Sequence, residues 1–262
     1  MTTCNTTTRG VLTEDELKAL FSRAKIATAG ARALEMLHDP DYDDLSFFDF
    51  LCEMMLAQDA NRQANATRKA MAKAQFANPN ASLENINPNP DHGLSPQRLA
   101  RLSDTEWIIG PKAKNLIITG PTGSGKSYLA QAIGINACLN QLKVRYWRLA
   151  ELALHIDAIA SDSRALEELT RNLTKFHLLI IDDFFTSEIS RQASSILFEI
   201  LEAREGQATV IVSQIQSEDW LKMIHNPVTG ESLVNRIVYP SMTITLDTNT
   251  NLRAHYNPAE AI

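Results

Sequence analysis

The apolar run Leu116-Ile117-Ile118 passes through Thr119 into Gly120-Pro121-Thr122-Gly123-Ser124-Gly125-Lys126-Ser127, and Leu129, Ala130, Ile133 and Ala137 then recur at helical spacing. Glycines allow left-handed backbone conformations that other residues avoid. A helix that starts there turns its positive end and its unpaired N–H groups toward the turn. The pattern Gly-x4-Gly-Lys-Ser/Thr between a buried strand and a helix predicts a phosphate cradle. Gly120, Pro121, Thr122, Gly123, Ser124, Gly125, Lys126, Ser127 and Tyr128 would surround the phosphates. Lys126 would reach the β- and γ-phosphates and the Ser127 hydroxyl would ligate Mg²⁺. The implied ligands are ATP and Mg²⁺, and the alternative is a glycine-rich turn without a ligand.

Four further apolar runs follow the same plan: Val144-Arg145-Tyr146-Trp147, Leu178-Leu179-Ile180-Ile181, Val210-Ile211-Val212 and Met242-Thr243-Ile244. Strands that alternate with helical patterns predict an α/β fold, a five-stranded parallel sheet with helices on both faces. The third run ends in Asp182-Asp183. Packing gives no reason to place two acids at the end of a buried strand, because unpaired buried carboxylates are costly. At the carboxyl end of a parallel strand they would face the ligand crevice. Asp182 would then hold Mg²⁺, and Asp183 would orient or deprotonate a water. Ser213-Gln214 ends the fourth run, where the Gln214 amide could meet the γ-phosphate or the water; a plain loop start is the alternative. Arg236 interrupts an apolar helical turn, as a salt-bridged side chain or as a finger into a neighbouring subunit. Ala150–Lys175 reads as two helices where one crossover needs only one, with Arg164, Arg171 and Lys175 in the excess.

Before this region, apolar residues from Leu17 to Leu34 recur at three- and four-residue steps, as on one helix ended by His38-Asp39-Pro40-Asp41. Ser46 and Asp49 resemble a capping box for a second helix with helical composition to Ala77, whose tail carries Arg62, Arg68, Lys69 and Lys73. Asn78–Pro96 is rich in Asn and Pro and reads as a linker without regular structure. The expected divisions are a small all-α domain over 1–78, a linker over 79–104 and the α/β domain over 105–262. A net charge of −6 restricts any DNA contact to local basic patches. Cys4, Cys52 and Cys138 are widely separated, which disfavours a disulfide framework. The polar start and the lack of any run near the roughly 20 apolar residues that span a bilayer suggest a cytoplasmic protein without a membrane partner.

With these residues assembled, the chain resembles the IstB-type ATP-binding transposition proteins, which are related to DnaC helicase loaders and DnaA initiators within the AAA+ P-loop ATPases. The resemblance rests on Gly120–Ser127, on Leu178–Asp183, on Val212-Ser213-Gln214 followed by Trp220, and on Val234-Asn235-Arg236-Ile237. It also includes Ala81–Asn87, Gly93-Leu94-Ser95 and Asp104–Ile108 before the glycine-rich turn. It implies that Gln214 is a sensor, Arg236 a trans-acting arginine finger and Arg253 a further phosphate-sensing arginine. The second helix within Ala150–Lys175 corresponds to the insertion that helps relatives assemble and contact DNA. Asn235 stands where the family usually has Asp, and the region around Leu252 diverges. The chain after Ile244 is too short for a full lid domain. The resemblance further implies an ATPase that forms ATP-dependent homo-oligomers on duplex DNA and recruits or stimulates a partner transposase; a DnaC-like helicase loader is the runner-up. A small-molecule P-loop kinase or a nucleotide-bound scaffold without turnover belong to other classes.

Overall fold

The computed structural model describes residues 12–110, 113–220, 237–239 and 241–247. The chain divides into two compact units, Met1–Ala66 and Thr67–Ile262.

The first unit contains α1 (Glu14–Arg23), α2 (Ala27–His38) and the start of α3 (Phe47–Ala74). Thr13 and Glu16 form a reciprocal capping box at the start of α1. The single helix expected from Leu17 to Leu34 is two helices. Lys25 adopts φ 60°, its N–H donates to Ser22, and the Ile26 N–H closes on the Phe21 carbonyl. This is a Schellman ending with lysine in the place usually held by glycine, so composition does not signal the break. Gly30, without a side chain, makes room on α2 for the Phe21 ring. At α3 the Ser46 hydroxyl accepts from the Asp49 N–H and donates to the Asp49 carboxylate.

The second unit holds a parallel sheet of β1 (Leu116–Thr119), β2 (Val144–Arg148), β3 (Leu178–Asp182), β4 (Ala208–Ser213) and β5 (Met242–Thr245). The strand order is β2-β3-β4-β1-β5, so β4 lies between β1 and β3. Successive strand residues face opposite sides. Leu116, Ile118, Ile180, Val210 and Val212 pack beneath Leu129, Ala130 and Ile133 of α5 (Lys126–Leu139). Ile117, Leu179, Ile181 and Ile211 pack on the other side. There they meet α6 (Leu149–Ile159) and α8 (Arg191–Ala203), so helices cover both faces of the sheet, as expected from the sequence. α7 (Ser163–Leu173) is the second helix of the β2–β3 crossover.

The stretch expected to be a featureless linker is instead packed. Ala81 and Leu94 are buried, residues 83–85 and 90–92 form 3-10 turns, and α4 (Pro96–Ser103) is capped by the Ser95 hydroxyl. The Asn and Pro residues serve tight turns: the Asn89 side chain caps the Asp91 N–H. Gly93 at φ 85° lies so close to β5 that a Cβ would stand 1.8 Å from the Thr245 carbonyl oxygen. The Asp247 N–H donates to His92 across this junction.

Arg204, 2% exposed, ties the far edge of the unit together. It donates to the carbonyls of Leu173, Phe176 and Ala208 and to the Thr209 hydroxyl. Burial lowers its pKa to about 10, so it remains charged at neutral pH. Replacing it with Met removes these four hydrogen bonds from inside the protein. Arg204→Met is expected to lower stability by about 3 kcal/mol, read from the urea midpoint at an unchanged slope.

Candidate functional site

The sheet order determines what meets at the carboxyl ends of the strands. The glycine-rich turn leaves β1, the acid pair ends β3, and Ser213-Gln214 ends β4 between them.

In the turn, Gly120, Gly123 and Gly125 have φ of 144°, 83° and 85°. A Cβ on Gly120 would stand 2.0 Å from the Leu246 carbonyl oxygen, so the turn can pass here only as glycine. Gly125 is the N-cap of α5 and supplies no side-chain cap, which leaves the positive helix end to a ligand. Lys126 is 6% exposed. Its Nζ donates to the Pro121 carbonyl at 2.6 Å, which places the ammonium within the loop. The Thr122 hydroxyl donates to Gln214 Oε1 at 2.7 Å, joining the turn to the end of β4. The Tyr128 hydroxyl accepts from the Ser82 N–H at 3.2 Å and so holds the packed 79–104 stretch against the start of α5.

Asp182 is 1% exposed, and its carboxylate accepts three hydrogen bonds. Oδ1 accepts from the Ser127 hydroxyl at 3.1 Å and from the Asp183 N–H at 2.8 Å. Oδ2 accepts from the Tyr146 hydroxyl at 2.8 Å. Burial raises the Asp182 pKa; the bonds from Tyr146, Asp183 and Ser127 oppose this, and the neighbouring Asp183 charge adds to it. The Ser127 hydroxyl and the Asp182 carboxylate form a hard-oxygen pair that suits Mg²⁺, an ion that takes one or two protein ligands and keeps its remaining waters.

Asp183 is half-buried and adopts φ 54°, as does Phe185 two residues on. Two non-glycine residues in the left-handed region are costly and persist only where the surroundings impose them. Here the Phe184 N–H donates to the Val212 carbonyl at 2.8 Å, and the Ser213 hydroxyl donates to the Phe184 carbonyl at 2.8 Å. The fully buried rings of Phe184, Phe185 and Trp220 pack together, with centroids 4.4 Å apart for the first two and 4.8 Å for Phe184 and Trp220.

The structure therefore gathers Thr122, Lys126, Ser127, Asp182, Asp183 and Gln214. Arg236 and Arg253 lie outside the described residues. The sequence reading did not select Tyr146 or Arg148. Both lie on the edge strand β2, which Arg148 ends, and Arg148 pairs in register with Asp182. Two polar residues at alternate positions of an apolar strand, Tyr146 and Arg148, were the available signal.

A parallel sheet with β4 inserted between the strand of a glycine-rich phosphate cradle and an acid-ended strand defines a P-loop nucleotide-binding protein. Residues 24–257 match the family described as IstB-like ATP binding protein. The chain belongs to that ATP-binding family. An insertion sequence ATP-binding protein of Sinorhizobium fredii is 34% identical over 182 residues, covering 68% of this chain and 73% of the relative. The ATP-binding protein of insertion sequence IS21 of Pseudomonas aeruginosa is 24% identical, covering 88% of this chain and 86% of its own. Among solved structures, the DnaC helicase loader superposes with a TM-score of 0.53 at 17% identity, over 64% of this chain and 97% of the loader. DnaA from Aquifex aeolicus bound to AMPPCP superposes with a TM-score of 0.55 at 16% identity, over 68% of this chain and 54% of DnaA. At these identities the likeness concerns the fold. Among the described residues, no helix is long and apolar enough to cross a membrane.

Lys126→Ala is expected to weaken ATP binding by roughly a hundredfold or more, because a charge-assisted contact to phosphate is lost. Titration of a fluorescent ATP analogue measures it, and affinity within a few-fold of the parent chain would reject the phosphate-cradle reading.

Proposed function

We propose that this protein hydrolyses ATP with Mg²⁺ and uses the nucleotide cycle to assemble on duplex DNA and to recruit or stimulate a partner transposase. The observation that carries the reading is the convergence of Lys126, Ser127, Asp182, Asp183 and Gln214 at the ends of three adjacent strands. The 34% identity to an insertion sequence ATP-binding protein supports the transposition setting over helicase loading.

In this reading the N–H groups of the glycine-rich turn and the Lys126 ammonium hold the phosphates. Ser127 and Asp182 hold Mg²⁺, which when bound neutralises charge between the β- and γ-phosphates. Asp183, fixed by its strained loop, orients or deprotonates the attacking water. Gln214, tied to Thr122, senses whether the γ-phosphate is present. Arg236 of a neighbouring subunit stabilises the charge that develops during transfer, and Arg253 senses phosphate as well. Arg62, Arg68, Lys69 and Lys73 on α3, and Arg164, Arg171 and Lys175 at α7, have exposed side chains and are the candidate phosphate contacts to DNA.

Asp183→Asn is expected to retain ATP binding while slowing turnover by about a hundredfold or more, and to prolong ATP-loaded assemblies on duplex DNA. Phosphate release with and without DNA, alongside nucleotide binding, separates the two effects. Unchanged turnover would return Asp183 to a structural role.

Arg236→Ala is expected to leave ATP affinity of the isolated subunit intact and to reduce DNA-stimulated hydrolysis. Mixed with Lys126→Ala subunits, some interfaces again pair an intact cradle with an intact finger, and partial recovery of hydrolysis is expected. Loss of ATP affinity in a monomeric Arg236→Ala chain would count against action in trans.

A further inference from the structure

Tyr146 occupies a position that apolar packing alone does not explain. Its ring is 4% exposed, on the α5 face of the sheet, and lies 6.4 Å from the Phe76 ring. Its register partner on β3 is Ile180. The hydroxyl reaches past that partner to Asp182, two residues further along, the diagonal reach open to a long side chain on a shared sheet face. A phenylalanine would fill the same space and leave Asp182 Oδ2 without this donor.

The direction of this bond is set by the surrounding groups. A phenol is protonated at neutral pH and a carboxylate only accepts, so Tyr146 donates to Asp182. Arg148, two residues along on the same strand face, carries donors only and so does not compete for the Tyr146 hydroxyl proton. The Arg148 charge is shared with Glu151 at 4.0 Å and with Asp183.

Asp182 has a different kind of partner on its other oxygen. The Ser127 hydroxyl now bonding Oδ1 belongs to the side chain proposed to hold Mg²⁺. When that hydroxyl turns to a metal, Oδ1 keeps only the Asp183 N–H. The Tyr146 bond to Oδ2 is made by a different oxygen and a different element, β2 instead of α5. Oδ2 would therefore keep its donor while Ser127 changes partner.

We propose that Tyr146 is a positioning residue for the metal side of the site: its hydroxyl fixes the Asp182 carboxylate in the orientation that receives Mg²⁺ with ATP. The proposal rests on the reading of Asp182 as the metal-side acid. Pre-orienting a ligand removes the need to order it on binding, so the effect belongs to metal capture more than to nucleotide affinity.

The test is Tyr146→Phe in the full chain, with binding of a fluorescent non-hydrolysable ATP analogue followed as Mg²⁺ is added. Analogue affinity in EDTA should stay within twofold of the parent chain. The Mg²⁺ concentration for half-maximal tightening should rise about tenfold, the lower end expected for loss of a hydrogen bond to a charged group. An unchanged or lower Mg²⁺ requirement overturns the proposal, as does an equal loss of affinity in EDTA, which would mean a packing role only. If the phenylalanine chain does not fold, 3-fluorotyrosine at 146 tests the same bond. It is a more acidic donor on nearly the same ring, so the Mg²⁺ requirement should hold or fall, and a rise overturns the proposal. Lys126→Ala run in parallel separates the two levels. Abolished binding there with a normal Mg²⁺ response in Tyr146→Phe removes only the positioning role. Binding that survives Lys126→Ala removes the phosphate-cradle reading and, with it, this inference.

Discussion

The Asp182 carboxylate, 1% exposed at the end of β3, needs donors on both oxygens because a buried charge without them is severely penalised. Each donor comes from a different part of the unit. Ser127 comes from the first turn of α5, the Asp183 N–H from the chain reversing after β3, and the Tyr146 hydroxyl from the edge strand β2. Satisfying one carboxylate thus requires that the glycine-rich turn, the strained loop and the β2–β3 pairing all be in place together. The site can be complete only when the fold is.

The same economy governs the loop after Asp183. Left-handed conformations at Asp183 and Phe185 are held by the Ser213 hydroxyl and by three buried rings. Ser213 also accepts from the Trp220 indole N–H at 3.4 Å and from the Ile215 N–H at 3.1 Å. One hydroxyl therefore links the loop that carries Asp183 to the residues that lead away from Gln214. In the proposed mechanism the water-orienting acid and the γ-phosphate sensor are mechanically one piece, because β4 lies between β1 and β3.

Helix ends were poorly legible in the sequence. Lys25 at φ 60° and Gln141 at φ 61° occupy left-handed positions after α1 and α5, where glycine would have signalled the stop. The apolar spacing that joins Leu17 to Leu34 runs through Ala27 and Ala31, which are exposed, whereas α2 buries Ala29, Ala33 and Leu34, so the break also shifts the buried face. The stretch before α4 failed in the opposite sense. Its Asn and Pro content suggested a tether, yet Gly93 is wedged against Thr245 of a strand about 150 residues later in the chain.

What the sequence determined by itself was local or periodic. The strand, glycine-rich turn and helix around Gly120–Ser127 were readable, as were the five strands, the acid pair and the two-helix crossover, because each is written in contiguous residues. What only the tertiary structure decided was which distant groups meet: Thr122 with Gln214, Tyr128 with Ser82, and Tyr146 with Asp182. These partners lie on strands and turns whose neighbours follow from sheet order, and sheet order depends on non-local packing. Tyr146 reads in the sequence as one more strand residue. Only the β2–β3 register turns its hydroxyl into the second support of a buried carboxylate.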